Sequence, residues 1–282
     1  MSLGEITLPR PSASVLPSAS PAQAVLSLDG VTRRFPNRDR RGAVFTAVEG
    51  LTFDVRPGEF VSIVGPSGCG KSTILNMVAG LDRPSEGQVR LSGHAVTGPS
   101  AHVGFMLQKD LLLPWRTILR NVEFGLEARP IARAERRARA LRELARCRLT
   151  DFADRYPHQL SGGMRQRAAL ARTLAIEPEI VLLDEPFSAL DAQTKLLLQR
   201  SFAETIQASG VTTLLITHDL TEAVVMSDRI LVMSERPGRI VEEIVVDLPH
   251  RDDPIARQGL APAREMIAHL FQSLHLTDRH DV

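Results

Sequence analysis

The sequence predicts an α/β fold: a mostly parallel sheet covered by helices, an antiparallel β portion on its N-terminal side, and a helical subdomain from about residue 109 to 160. Three observations carry this. Apolar runs of strand length recur as FVSIV at 60–64, EIVLLD at 179–184, VTTLLITHD at 211–219 and RILVM at 229–233. Helical patterns around Met164–Ala175 and Gln193–Ala208 separate the later runs, and strands alternating with helices build parallel sheets. Between about Lys109 and Leu160 strand signals vanish; Ile131, Ala134, Ala138, Leu141, Leu144 and Cys147 recur at three- and four-residue steps, the spacing of one helix face.

In chain order, residues 1–24 are rich in Pro, Ser and Ala and are expected to form a disordered extension, without the basic start and apolar block of a secretory signal. From Val25 the runs VLSL and LTFDV read as strands, and Arg56-Pro57-Gly58-Glu59 as a turn into FVSIV. STILNMVAGL has helical spacing and stops at Gly80, while QVRLSG and HVGFML read as further strands. Arg236-Pro237-Gly238 makes a turn into RIVEEIVVDL, and the tail at 251–282 has one short helix, near Ala263 to Leu274, with no room for a regulatory domain.

At 282 residues and 43% hydrophobic content, the chain can bury a substantial core. A formal charge of +1 provides no global field for nucleic acid or an anionic membrane surface. Cys69 and Cys147 are too few for a disulfide framework and lack metal-site spacing, which fits a reducing cytoplasm. No apolar run approaches the roughly twenty residues that cross a bilayer.

Gly65-Pro66-Ser67-Gly68-Cys69-Gly70-Lys71-Ser72 matches the phosphate-binding loop, placed between an apolar strand and a helix as that pattern requires. It predicts a P-loop NTPase core. Glycines let backbone N–H groups close around phosphate oxygens, Lys71 supplies a point charge, and Ser72, with Thr73 beside it, opens the helix, its hydroxyl available to Mg²⁺. Lys71, Lys109 and Lys195 are the only lysines in an arginine-rich chain, and the rigid fork of arginine does not replace a compact ammonium. The strand into Asp184 and Glu185 carries two carboxylates to a sheet edge: Asp184 to hold Mg²⁺ through its water shell, Glu185 to polarise the attacking water. Ser161-Gly162-Gly163 opens an Arg- and Ala-rich helix as a second anion site.

In order and approximate spacing, the loop around Lys71, Gln108 after an apolar strand, LSGGM, Asp184-Glu185, Ser188-Ala189-Leu190-Asp191 and His218 resemble the ATP-binding cassette ATPases over roughly Val25 to Val246. The resemblance implies an ATPase domain at 25–250 with ATP and Mg²⁺ as cofactors. It implies that Gln108 senses Mg²⁺ and couples to membrane subunits, that Asp191 contacts the opposite subunit, and that His218 is a switch on the γ-phosphate. It further implies a homodimer in which the LSGGM of one subunit closes over ATP held by the other. Phe35 falls where the family places an adenine-stacking ring; the following stretch is long and basic, so Phe45 is its rival.

Leu111-Leu112-Leu113-Pro114-Trp115, just after Gln108, is core or an exposed docking patch; docking is favoured, because the family receives its membrane subunits there. The arginines between 133 and 148 are read as a solvated face beside Glu135 and Glu143, with no nucleic-acid partner. FMLQKDLLLPWRTILRNV, DEPFSALDAQT and MSERPGRIV most resemble the ATPases of nitrate, sulfonate and taurine importers. That implies transmembrane permease subunits, an indirect solute-binding partner and a peripheral place at the cytoplasmic face of the membrane. A soluble cassette ATPase acting in DNA repair or on ribosomes is the alternative; it usually carries a coiled-coil insertion, zinc-binding cysteines or two cassettes, none of which occurs here.

Overall fold

The computed structural model describes residues 24–36, 43–188 and 190–277. The extension expected over 1–24 lies outside them except for Ala24, which is buried at the start of the first strand. The basic stretch at 37–42 lies outside them as well.

Strands β1 (Leu26–Pro36), β2 (Val44–Val55), β4 (Glu86–Leu91) and β5 (His94–Ala95) form an antiparallel sheet in the order β2-β1-β4-β5. The second sheet runs β10-β9-β3-β8-β7-β6, with β3 (Phe60–Val64), β6 (Val103–Met106), β7 (Ile180–Asp184), β8 (Thr212–Ile216), β9 (Arg229–Met233) and β10 (Ile240–Val245). Its four pairings from β9 to β6 are all parallel, and β10 joins β9 antiparallel. β3, β8 and β9 are buried at every position, as strands covered on both faces must be, which explains their continuous apolar runs.

Among the described residues there are eight α-helices: α1 (Lys71–Val78), α2 (Ile118–Glu127), α3 (Arg133–Arg146), α4 (Gly162–Ala175), α5 (Ala192–Ser209), α6 (Leu220–Met226), α7 (Pro254–Gln258) and α8 (Ala261–Thr277). One apolar core joins α2, α3, α4 and α5 to one side of the large sheet; a second lies between the two sheets around α1; a third sits under α6 and α8.

Two details depart from the sequence reading. In α3 the inward face carries Ala140, Glu143 and Leu144, whereas Ala134 and Ala138 are exposed. Nor is its arginine face simply solvated: Arg142 and Arg146 both pair with Glu143, which is 1% exposed, and Arg139 and Arg142 reach Glu177. Alanine has too little apolar surface to fix a helix face by itself, and the arginines that flank Glu143 keep their own side chains largely exposed.

Candidate functional site

Four parallel strands end on one edge of the large sheet, and each delivers a chemically active segment there. The phosphate loop follows β3, Gln108 follows β6, Asp184 and Glu185 end β7, and His218 follows β8. The carboxyl edge of a parallel sheet is where such folds bind ligands.

The loop is a cradle that side chains would fill. A Cβ on Gly70, whose φ is 106°, would lie 2.5 Å from Val48 Cγ1, and one on Gly65 would lie 2.9 Å from Met233 Cβ. Ser67, Gly68 and Ser72 stay exposed at its rim, Pro66 and Thr73 are half-buried, and Cys69 packs beneath, its thiol pushed up by burial. Gly70 caps α1 without a side-chain hydrogen bond, so no capping side chain satisfies the first-turn N–H groups. Lys71 is 7% exposed, and its Nζ donates to Gly65 O at 2.7 Å and Pro66 O at 2.8 Å. A third, longer contact runs from the same ammonium to Cys69 Sγ at 3.8 Å, and together these bonds hold the cation across the loop.

Asp184 accepts a hydrogen bond from Ser72. Burial, then the neighbouring Glu185, raise its pKa against the pull of Lys71 and Ser72. A half-buried carboxylate beside a hydroxyl, its ionised form disfavoured, offers oxygen donors of the kind a hard divalent cation takes, with phosphate and water completing the shell. Glu185 has φ 46°, which turns it out of line with β7; its Oε2 lies 3.1 Å from His218 Nδ1. Gln108 Nε2 donates to Ser188 Oγ at 3.0 Å, and that hydroxyl donates to Glu185 O at 3.0 Å.

Ser161, Gly162, Gly163 and Asp191 gather separately. Ser161 caps α4 by accepting from Met164 N, and Asp191 caps α5 by accepting from Thr194 N, which holds its pKa low. Positions for a Cβ on Gly162 and Gly163 lie 3.7 Å from Leu190 Cδ2 and 3.3 Å from Thr194 Cγ2. Phe35 and Phe45 pair across β1 and β2, their rings stacked with centroids 5.6 Å apart, so the two candidates form one aromatic unit. In the apolar block after Gln108, Leu112 is buried, whereas Leu111 and Trp115 are 54% and 72% exposed.

Sequence reasoning missed several contributors. Gln166 Nε2 donates to Gln108 O at 3.1 Å, and Arg172 donates to the carbonyls of Asp110 and Leu111. Arg236, read only as part of a turn, donates to Gly68 O at 2.8 Å with its guanidinium over the Phe45 ring. Each is a single polar residue whose partner is remote in sequence, so no local spacing could reveal it.

The family model described as ABC transporter matches residues 48–188, the stretch that holds the loop, Gln108, the LSGGM segment and the Asp184-Glu185 pair. The chain belongs to the ABC transporter family. It is 46% identical over 81% of its length to an uncharacterised ABC transporter ATP-binding protein of Methanocaldococcus jannaschii, covering 84% of that protein. A nitrate import ATP-binding protein of Synechocystis is 44% identical over 74% of this chain and 79% of its own. A taurine import ATP-binding protein of Yersinia pestis is 43% identical over 73% and 80%. Among solved structures, an ATP-binding cassette dimer in a post-hydrolysis state bound to ADP and phosphate aligns with a TM-score of 0.67 at 33% identity, over 79% of this chain and 99% of that one. The cassette described here is therefore an ATP-binding ATPase subunit with an α/β P-loop NTPase fold.

Proposed function

We propose that this cassette is the ATPase subunit of an importer, working as a homodimer on the cytoplasmic face of a membrane beneath permease subunits. The observation that carries the catalytic half is the convergence of Lys71, Gln108, Asp184, Glu185 and His218 at four adjacent strand ends. Residues 65–73 wrap the phosphates, with Lys71 as their cation. Mg²⁺, held by Ser72 and Asp184 with Gln108 near, would neutralise charge on the transferring phosphate. Glu185 orients and polarises water, and His218, beside its carboxylate, contacts the γ-phosphate side. The Phe35–Phe45 pair offers the base an aromatic face. Ser161, Gly162 and Gly163 close over the nucleotide of the partner subunit, and Asp191 meets that subunit.

Glu185→Gln separates binding from chemistry: it is expected to keep ATP affinity while losing on the order of a hundredfold or more in turnover, as loss of a positioned general base does. The ATP-loaded variant is expected to elute from size-exclusion chromatography as a dimer, and Lys71→Ala as a monomer without bound nucleotide. A Glu185→Gln variant that hydrolyses normally defeats the assignment.

The importer half is supported by the nitrate and taurine import relatives and by Trp115 and Leu111, exposed apolar groups beside a nucleotide-facing Gln. Nitrate, alkanesulfonates and taurine are the leading solutes, selected by the permease and a solute-binding protein. A deletion strain is expected to lose growth on one of them as sole nitrogen or sulfur source. Trp115→Asp is expected to abolish uptake while changing stability by no more than about 0.5 kcal/mol; unchanged uptake removes the docking site.

A further inference from the structure

Lys195 has no place in the motifs described, yet it is one of only three lysines in the chain. It lies in the first turn of α5, four residues after the Asp191 cap, with its side chain 21% exposed. Its Nζ donates to Asp219 Oδ2 at 2.7 Å and pairs with Glu222, which is 2% exposed. Glu222 Oε2 accepts from the Thr217 hydroxyl at 2.5 Å; Asp219 N donates back to Thr217 Oγ1 at 3.0 Å; Asp219 Oδ1 accepts from the N–H groups of Thr221 and Glu222. Thr217 and Asp219 are the residues on either side of His218.

We propose that Lys195 is a positioning residue for His218: its ammonium ties both carboxylates to α5 and so fixes the three-residue segment that presents the imidazole to Glu185 and the nucleotide. This rests on the reading of His218 given above. The charge balance explains why one cation suffices. Burial works against the ammonium, but its hydrogen bonds to Asp219 and Glu222 hold its pKa above the ordinary value. Burial pushes the Glu222 carboxyl up against the pull of Lys195 and Thr217, so removing Lys195 takes away the cation that favours the charged acceptor anchoring Thr217. Because Thr194 packs on Gly163, the same turn of α5 touches the start of α4, and the tie joins the His218 segment to a helix already wedged against the Ser161–Gly163 cluster.

Turnover at saturating Mg-ATP, KM for ATP and thermal unfolding are to be measured on the full chain for Lys195→Met, Lys195→Arg, Glu222→Gln, His218→Ala and the double variant Lys195→Met/His218→Ala. Lys195→Met is expected to lower kcat about tenfold or more with KM within about twofold of native, since the phosphate loop is untouched. Lys195→Arg restores most of the loss. The double variant turns over no more slowly than His218→Ala alone, a non-additivity that general loosening of the fold does not produce. Glu222→Gln keeps the side-chain volume and an acceptor for Thr217, lowers kcat in the same sense, and carries the test if Lys195→Met does not fold. Native turnover in the Lys195 and Glu222 variants alongside an impaired His218→Ala overturns the positioning role alone, as do losses that multiply in the double variant. Native turnover in His218→Ala overturns the role given to His218 and this inference with it.

Discussion

Asp184 shows at the scale of one residue how the site works against the fold. Burial and the adjacent Glu185 raise its pKa although Lys71 and Ser72 pull it down. A carboxyl whose folded pKa lies above its unfolded value, about 3.9, costs stability when ionised: the cost is absent below the unfolded pKa and complete above the folded one. Asp184→Asn is therefore expected to stabilise the nucleotide-free cassette at pH 7.5 by a modest amount, about 0.5 kcal/mol, kept small by the half-exposure of the group. The gain shrinks as pH falls towards 4, and ATP hydrolysis is lost at every pH. Urea unfolding at several pH values reads the sign directly, and an Asn variant less stable than native at pH 7.5 contradicts the account. The placement of Asp184 and Glu185 at the end of a buried strand was legible from an apolar run ending in two acids. The left-handed φ of Glu185 and its 3.1 Å approach to His218 were not, since those depend on where β8 lies beside β7.

Among the elements, α4 holds the segment that follows Gln108 and α7 holds the C-terminal tail to the sheet. From α4, Arg165 pairs with Asp110, Gln166 donates to Gln108 O, and Arg172 donates to the carbonyls of Asp110 and Leu111, so one helix fixes the whole segment that carries Gln108 into the exposed Leu111 and Trp115. At the far end, Arg257 of α7 is 2% exposed and donates to the carbonyls of Ser227, Leu248, Pro249 and, more weakly, Val225. Arginine presents five donors in a rigid plane, and here they meet four backbone carbonyls at once. Arg257→Met is expected to cost about 2–4 kcal/mol, because those buried carbonyls lose their donors. Hydrogen exchange is expected to show α8 and the end of α6 opening while α1 keeps its protection. Equal loss of protection in α1 would mean that the tail is not a separate unit. Neither α6 nor α7 was foreseen: seven and five residues are too short to establish a helical period, and both are held by tertiary contacts.

For the molecule as a whole, the site residues fall into two groups, one around Lys71 and one around Ser161 and Asp191, and the proposed dimer would join each to its counterpart. A Ser161→Arg subunit mixed with a Lys71→Ala subunit retains one intact composite site, so ATP-dependent crosslinking of that heterodimer is expected, whereas neither variant crosslinks to itself. Crosslinking that fails in the mixture places the Ser161 cluster on its own nucleotide. The sequence by itself determined the layers of this protein and its class as an ATPase. Alternating apolar strands and helices can be buried in few ways, and a phosphate loop between strand and helix presents its backbone N–H groups to nucleotide phosphates. In α3 the periodicity held for Ile131, Leu141, Leu144 and Cys147, which lie in or against the helical core, and failed at Ala134 and Ala138, which are exposed. Only the tertiary structure decided that Phe35 and Phe45 act as a stacked pair, that Arg236 reaches across to Gly68, and that Lys195 gathers Asp219 and Glu222 beside His218. The physical reason is the same in each case: a hydrogen bond or ring contact between residues far apart in the chain costs nothing in local pattern, and comes into being only when the strand order of the sheet brings its two ends within a few ångströms.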